Sequence, residues 1–238
     1  LFSMRVIAVV VVALSLLSTA AFAGTKSKAK PKRVAVTAPA NATETKKVRD
    51  RSIGAPWSGH LQAPARLKEG KRYHLRRPWR TYGTRTTVEL VRQAIVDTLE
   101  DFPKAHVLAV GDLSQESGGW ITEHASHQSG RDVDIGLFYK KQPKGYPAAF
   151  VAATKATLDA AATFRLISKL AASRGDDGGV QFIFLDQRLQ NVVLAWAEKA
   201  GVSEKRIASV VAVVRHIPHH NDHLHVRFKC RERDSSCR

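Results

Sequence analysis

His219-His220-Asn221-Asp222-His223-Leu224-His225-Val226-Arg227-Phe228 is the stretch on which the reading of this chain turns. From His223 onward polar and apolar residues alternate, which is the period of a β-strand. His223 and His225 are two apart and point to one face, with Leu224 and Val226 on the other. Asp132-Val133-Asp134-Ile135-Gly136-Leu137 alternates in the same way. If these two strands pair, His127, Asp134, His223 and His225 converge on one site. Asp132 and Asp134 share a side, so periodicity does not choose between them. Nor does it say which of His223 and His225 binds an ion.

The segment before the earlier strand reads His124-Ala125-Ser126-His127-Gln128-Ser129-Gly130-Arg131. His127 falls on a loop, and Gly130 lets the chain turn tightly into the strand. Imidazole and carboxylate are the donors expected around zinc, and a catalytic zinc takes three protein ligands with one position left open. A soluble domain gains nothing by turning such residues to one face without a ligand for them. The chain has no His-Glu-x-x-His motif, so a zincin-type helix site is excluded.

Around these strands the pattern is mixed. Val88, Leu90, Val91, Ile95, Leu99 and Phe102 recur at helical spacing behind a Thr86-x-x-Glu89 capping box, predicting a helix over 87–101 that Pro103 ends. Val107 to Val110 reads as a short strand. Residues 159–173 read as a helix capped by Asp159, and Val180 to Leu185 as a strand. A helix over 187–200 closes at Gly201. Ser203 caps a further helix carrying Ile207, Val210, Val211 and Val214. Residues 52–85, rich in Gly and Pro, read as loop. Without regular βαβ alternation, the expected class is α+β: a small, largely antiparallel sheet carrying the site, flanked by helices and long loops.

The chain has 238 residues and 44% hydrophobic content, enough for a core and too much for full-length disorder. Its formal net charge of +17 points to an anionic partner. Much of that surplus lies outside the expected body, in a Lys- and Pro-containing stretch over 24–51 that reads as a basic disordered linker. Ahead of it, Arg5, the apolar run Val6 to Leu17 and Ala21-Phe22-Ala23 form the pattern of a secretory signal peptide over 1–23. Residues 52–238 are then the domain, ending in a cysteine-bearing tail. Export puts Cys230 and Cys237 in an oxidising compartment, and a local disulfide is expected. No later stretch approaches a membrane span.

Ser126-His127-x-x-Gly130-x-Asp132-x-Asp134, together with His223-x-His225, resembles the zinc peptidases related to lysostaphin, D-alanyl-D-alanine carboxypeptidases and the hedgehog domain. The longer strings from His124 to Ile135 and from His220 to Arg227 resemble the penicillin-insensitive murein endopeptidases. Ser52-Ile53-Gly54 and Val110-Gly111-Asp112 fit that family too, and the similarity runs over about residues 52–228. The chain has fewer cysteines than the family usually carries.

The resemblance implies a periplasmic zinc endopeptidase that cuts D-alanyl–meso-diaminopimelyl cross-links between peptidoglycan stem peptides and is insensitive to β-lactams. It implies His127, Asp134 and His225 as zinc ligands, with His124 near the metal. His223 becomes the catalytic histidine and His220 a second active-site histidine. Asp132 would either support the ligand loop or pair with an arginine. Two other readings stay open: a D-alanyl-D-alanine carboxypeptidase on the same scaffold, and an exported basic nucleic-acid-binding protein or nuclease, suggested by the basic-aromatic run from Lys71 to Arg80. Under the endopeptidase reading no nucleic-acid partner is expected.

Overall fold

A computed structural model describes residues 49–238. The expected signal peptide and nearly all of the expected linker lie outside the described residues. The folded body begins slightly earlier than expected, because Asp50 is buried and Arg51 opens the first strand.

The chain enters through a hairpin, β1 (Arg51–Ala55) and β2 (Ser58–Gln62). Three short strands follow, β3 (Ala65–Arg66), β4 (Tyr73–Leu75) and β5 (Tyr82–Gly83). Residues 52–85 are therefore not the loop their composition suggests. Helix α1 (Arg85–Asp101) leads to β6 (Leu108–Val110) and, after a long loop, to β7 (Asp132–Gly136). Then come α2 (Ala160–Ala172), β8 (Val180–Leu185), α3 (Gln187–Lys199), α4 (Glu204–Val211), β9 (Val214–His216) and β10 (His223–Phe228).

Six strands form one sheet in the order β4-β6-β7-β10-β8-β9. The three central pairings, β6–β7, β7–β10 and β10–β8, are antiparallel; the pairings at both edges are parallel. The class is α+β: the described residues form four α-helices and a mixed sheet whose middle is antiparallel.

Alternation along the central strands divides the sheet into two chemistries. Val133, Ile135, Leu224, Val226 and Phe228 are fully buried and join Val91, Ile95, Leu166 and Ile167 of α1 and α2 in one core. Burying such side chains is the main stabilising term, at about 1.5–3 kcal/mol each. The residues between them face the other way and build the site.

The local signals stand mostly where the sequence predicts them, with two shifts. The N-cap of α1 is Thr84, whose hydroxyl accepts the Thr87 N–H at 3.1 Å, and not Thr86. Glu89 pairs with Arg92 on the helix surface instead of reaching back to a cap. Val214 lies in β9, beyond the end of α4. Asp159 caps α2 as expected, its side chain accepting from the Ala162 N–H.

The tail is stapled by a Cys230–Cys237 disulfide and folds back onto the N-terminal hairpin. Gly54 N–H donates to Ser236 O, and Arg238 N–H to Gly54 O. Between the two ends Arg231 is buried and pairs with Asp50 at 2.5 Å and Asp234 at 2.8 Å. Burial alone would raise the Asp50 carboxyl, but the Arg85 amide and the Arg231 guanidinium outweigh it and hold it below the usual carboxylate range.

Removing one member of a buried charge cluster leaves the others uncompensated. Arg231→Met is expected to cost about 3–5 kcal/mol in urea unfolding of the domain. Because the Asp50 pKa is lowered on folding, its contribution is present above the unfolded value, roughly 3.9, and is lost as pH falls below it. The wild-type protein should therefore lose stability below about pH 4 more steeply than the variant.

Candidate metal centre

The pairing of β7 with β10 sets the register of the site. Asp134 stands opposite His225, and Asp132 opposite Arg227. His223 lies two residue pairs along, opposite Gly136. The convergence expected from the sequence follows from this antiparallel pair.

The loop between β6 and β7 brings in His127. Its backbone is left-handed, at φ 66°. Asp132 Oδ2 accepts the His127 N–H at 3.1 Å and holds the chain in that conformation. Asp132 also pairs with Arg227 at 2.7 Å, so it fills both roles left open for it. Gly130, at φ 69°, turns the loop into β7; a Cβ there would lie 2.7 Å from the Leu61 side chain. The Leu113 carbonyl lies 2.9 Å from His127 Nδ1. A carbonyl only accepts, so Nδ1 carries the proton and Nε2 keeps its lone pair for the site.

Four histidines surround Asp134. His127 Nε2 is 3.4 Å and His225 Nδ1 3.3 Å from its Oδ1. His223 Nε2 is 3.7 Å from the same oxygen, and His124 Nδ1 is 3.7 Å from Oδ2. The donor atoms of His124, His127 and Asp134 all lie within 4.8 Å of one another, a group able to hold a metal ion. Asp134, His127 and Asp132 are almost completely buried.

Three buried atoms here, His127 Nε2, Asp134 Oδ1 and His225 Nε2, have no hydrogen-bond partner among the described residues. Orphaned donor and acceptor atoms cost free energy unless something binds them. Of these, His127 Nε2 and Asp134 Oδ1 face each other at 3.4 Å and fit a metal cation; His225 Nε2 lies on the far side, 3.4 Å from Asp132 Oδ1, and turns Nδ1 toward Asp134. The electrostatics agree. Burial would lower the His225 imidazole, but Asp132 and Asp134 outweigh it and raise it to about 9. Burial would raise Asp134, yet the His127, His223 and His225 imidazoles hold it well below the carboxylate range. The two carboxylates stabilise positive charge at this point.

A second ring of contacts orients the first. His124 Nε2 donates to Asp112 at 3.0 Å, leaving Nδ1 toward Asp134. Asp112 is gripped in turn by Arg77 and Arg80 at 2.8 and 2.9 Å. His223 Nδ1 donates to Asp222 at 2.6 Å, and its ring stacks on Phe150 with centroids 5.0 Å apart. His220 lies farther out, its ring 4.8 Å from that of His223. Its Nδ1 donates to the Pro218 carbonyl, and burial lowers its pKa.

Sequence reading assigned no role to Asp112, Asp222 or Phe150. Asp222 precedes His223 directly, and neighbouring residues on a strand point to opposite faces, so spacing gave no hint of their contact. The site opens into a cleft of about 590 Å³, walled by Trp57, Arg76, Phe150, Phe184 and Arg227.

The comparison with protein families decides what this arrangement belongs to. The family described as penicillin-insensitive murein endopeptidase matches residues 52–238. The chain belongs to this family. No curated protein matches it. Of the readings the sequence left open, the match selects the endopeptidase, a metallopeptidase whose substrate is peptidoglycan. A murein endopeptidase with a disulfide works outside the cytoplasm. Among the described residues no helix is long and apolar enough to cross a membrane.

An ion that binds the folded endopeptidase stabilises it by mass action. After chelator treatment, a divalent ion at about 100 times its Kd should add roughly 2.7 kcal/mol. Asp134→Asn and His127→Ala should abolish the thermal shift. An unchanged shift in both variants would put the ion elsewhere.

Proposed function

We propose that the ion is zinc, that its ligands are His127, Asp134 and His225, and that the enzyme cuts the D-alanyl–meso-diaminopimelyl cross-link of peptidoglycan in the periplasm. What supports the ligand set is the pair of distances at Asp134 Oδ1, 3.4 Å to His127 Nε2 and 3.3 Å to His225 Nδ1, although the donor atoms that lie mutually within 4.8 Å are those of His127, Asp134 and His124. Ligands about 2.0–2.1 Å from a tetrahedral zinc are roughly 3.3 Å from one another. The distances to His223 and His124 are longer, at 3.7 Å. In this reading His124 stands beside the ion, held by Asp112, and leaves the fourth position open.

Bound zinc supplies Lewis-acid polarisation of the scissile carbonyl and acidifies water. The remaining work falls to side chains. Asp222 fixes the His223 tautomer, so Nε2 faces the cleft as a base. It takes the proton of the attacking water and returns it to the leaving amine. His220, kept neutral by burial, offers Nε2 beside it as a second proton acceptor. Phe150 stacks on His223 and keeps its ring in plane. No serine attacks the carbonyl, so β-lactams have no nucleophile to acylate.

The cleft wall fits a stem peptide with free carboxylates. Arg77 is committed to Asp112 and Glu123, and Arg227 to Asp132. Arg76 has no carboxylate partner among the described residues; it lies over the Phe150 ring at 4.2 Å and donates to Ala148 O. It is the guanidinium free to grip a diaminopimelyl carboxylate. Residues 1–23 direct export, and the basic stretch that follows tethers the enzyme to anionic polymer.

The test is cleavage of cross-linked sacculi followed by mass analysis of the products. Dimeric muropeptides should become monomers. Chelation should stop the reaction and zinc restore it. His223→Ala should keep its zinc and lose roughly a hundred- to ten-thousand-fold in kcat. Arg76→Ala should raise KM with little change in kcat. Loss of a single alanine per stem peptide would mean carboxypeptidase, and full activity without metal would overturn the reading.

A further inference from the structure

Three of the four tryptophans are exposed: Trp57 by 62%, Trp79 by 64% and Trp120 by 67%. Tryptophan is on average well buried, so this is costly surface that calls for a ligand. Trp57 borders the catalytic cleft. Trp79 and Trp120 belong to a second cleft of about 530 Å³, with Tyr82, Gln115 and Glu116.

The second cleft is built and held. Trp79 sits in the 3-10 turn Pro78–Arg80, whose Pro78 carbonyl accepts from Arg66 at 3.0 Å. The Gln115 amide donates to Gly118 O at 2.9 Å and Trp120 O at 3.2 Å, tying down the Trp120 segment. Arg80 lies between the clefts. It donates to Thr122 Oγ1 at 2.6 Å on one side and to Asp112 at 2.9 Å on the other. Asp112 lines the catalytic cleft and Thr122 the second one, so one short segment, residues 122–124, borders both.

The charges of the two clefts differ. The catalytic cleft carries Arg76, Arg77 and Arg227. In the second cleft the Arg80 charge is met by Asp112, and exposed Glu116 adds a negative one. A phosphate or nucleic-acid strand would find no unpaired cation there. Flat indole faces beside amide, hydroxyl and phenol groups suit a neutral ligand that is apolar on its faces and polar at its edges. A pyranose ring has that form.

We propose that the second cleft binds the amino-sugar strand of peptidoglycan, with Trp79 and Trp120 stacking on sugar rings while the attached peptide enters the catalytic cleft. This rests on the reading of the catalytic cleft as the stem-peptide site. It makes the polysaccharide half of the polymer part of what the enzyme recognises.

The test uses the zinc-loaded enzyme, chitohexaose as a neutral β-1,4 amino-sugar probe, and two substrates: intact sacculi and a sugar-free dimer of cross-linked stem peptides. Chitohexaose should change the tryptophan fluorescence saturably. Trp79→Ala and Trp120→Ala should each weaken binding about tenfold. The same variants should cut sacculi about tenfold less efficiently, through KM, and the sugar-free dimer at the wild-type rate. Trp79→Phe and Trp120→Phe, which keep an aromatic face, should recover part of the loss. Absence of saturable binding, wild-type efficiency on sacculi, or equal losses on both substrates would overturn the proposal; the last would mean a structural role or a peptide or protein ligand in the second cleft. If the wild-type enzyme cuts neither substrate, the endopeptidase reading fails, while chitohexaose fluorescence still decides the sugar site.

Discussion

Two carboxylates buried side by side on one strand are the constraint around which the domain is arranged. Asp132 and Asp134 are exposed by only 1% and 3%. An uncompensated buried carboxylate is too costly to keep charged. Each is therefore met by cations or donors brought from elsewhere in the chain. Asp132 takes Arg227 and the His127 amide, while Asp134 takes imidazoles from a loop and from β10. The β7–β10 pairing and the left-handed turn at His127 both serve this compensation. Asp132 is satisfied within the protein. Asp134 Oδ1 is not, and that difference separates a supporting carboxylate from one that fits a metal ion.

The frame around the site is tied at long range. Arg131, immediately before the two aspartates, is buried and donates to Ser52, the Phe228 carbonyl and the Arg238 carbonyl. The first strand, the last strand and the chain's final residue thus meet behind the site. The disulfide, Arg231 and Asp50 close the same junction. A tail that looks like an appendage in sequence is part of what holds the ligand loop.

Much of this was legible in the sequence because it rests on local periods. The alternation in β7 and β10 gave the two strands and their polar face. The helical spacing from Val88 to Leu99 gave α1, and two cysteines in an exported chain gave the disulfide. What was missed depends on partners far away in sequence. β4 exists because it pairs in parallel with β6, across all of α1, and nothing in Tyr73-His74-Leu75 announces that. Thr84 and Thr86 are equally good caps on composition. Thr84 takes the role because the helix begins at Arg85, where Asp50 accepts the first amide. Asp112 and Asp222 became meaningful only once their histidines were placed. The His124, His127 and Asp134 group was visible as motif residues, but its tightness came from the fold.

The central claim is that Asp134 organises a zinc site with His127 and His225. X-ray diffraction from zinc-loaded crystals, collected at the zinc absorption edge, tests it most directly. The account predicts one anomalous peak within about 2.0–2.2 Å of His127 Nε2, an Asp134 carboxylate oxygen and His225 Nδ1, with His223 unligated. A peak bound to His223 or away from Asp134, or no ordered zinc at all, would contradict it.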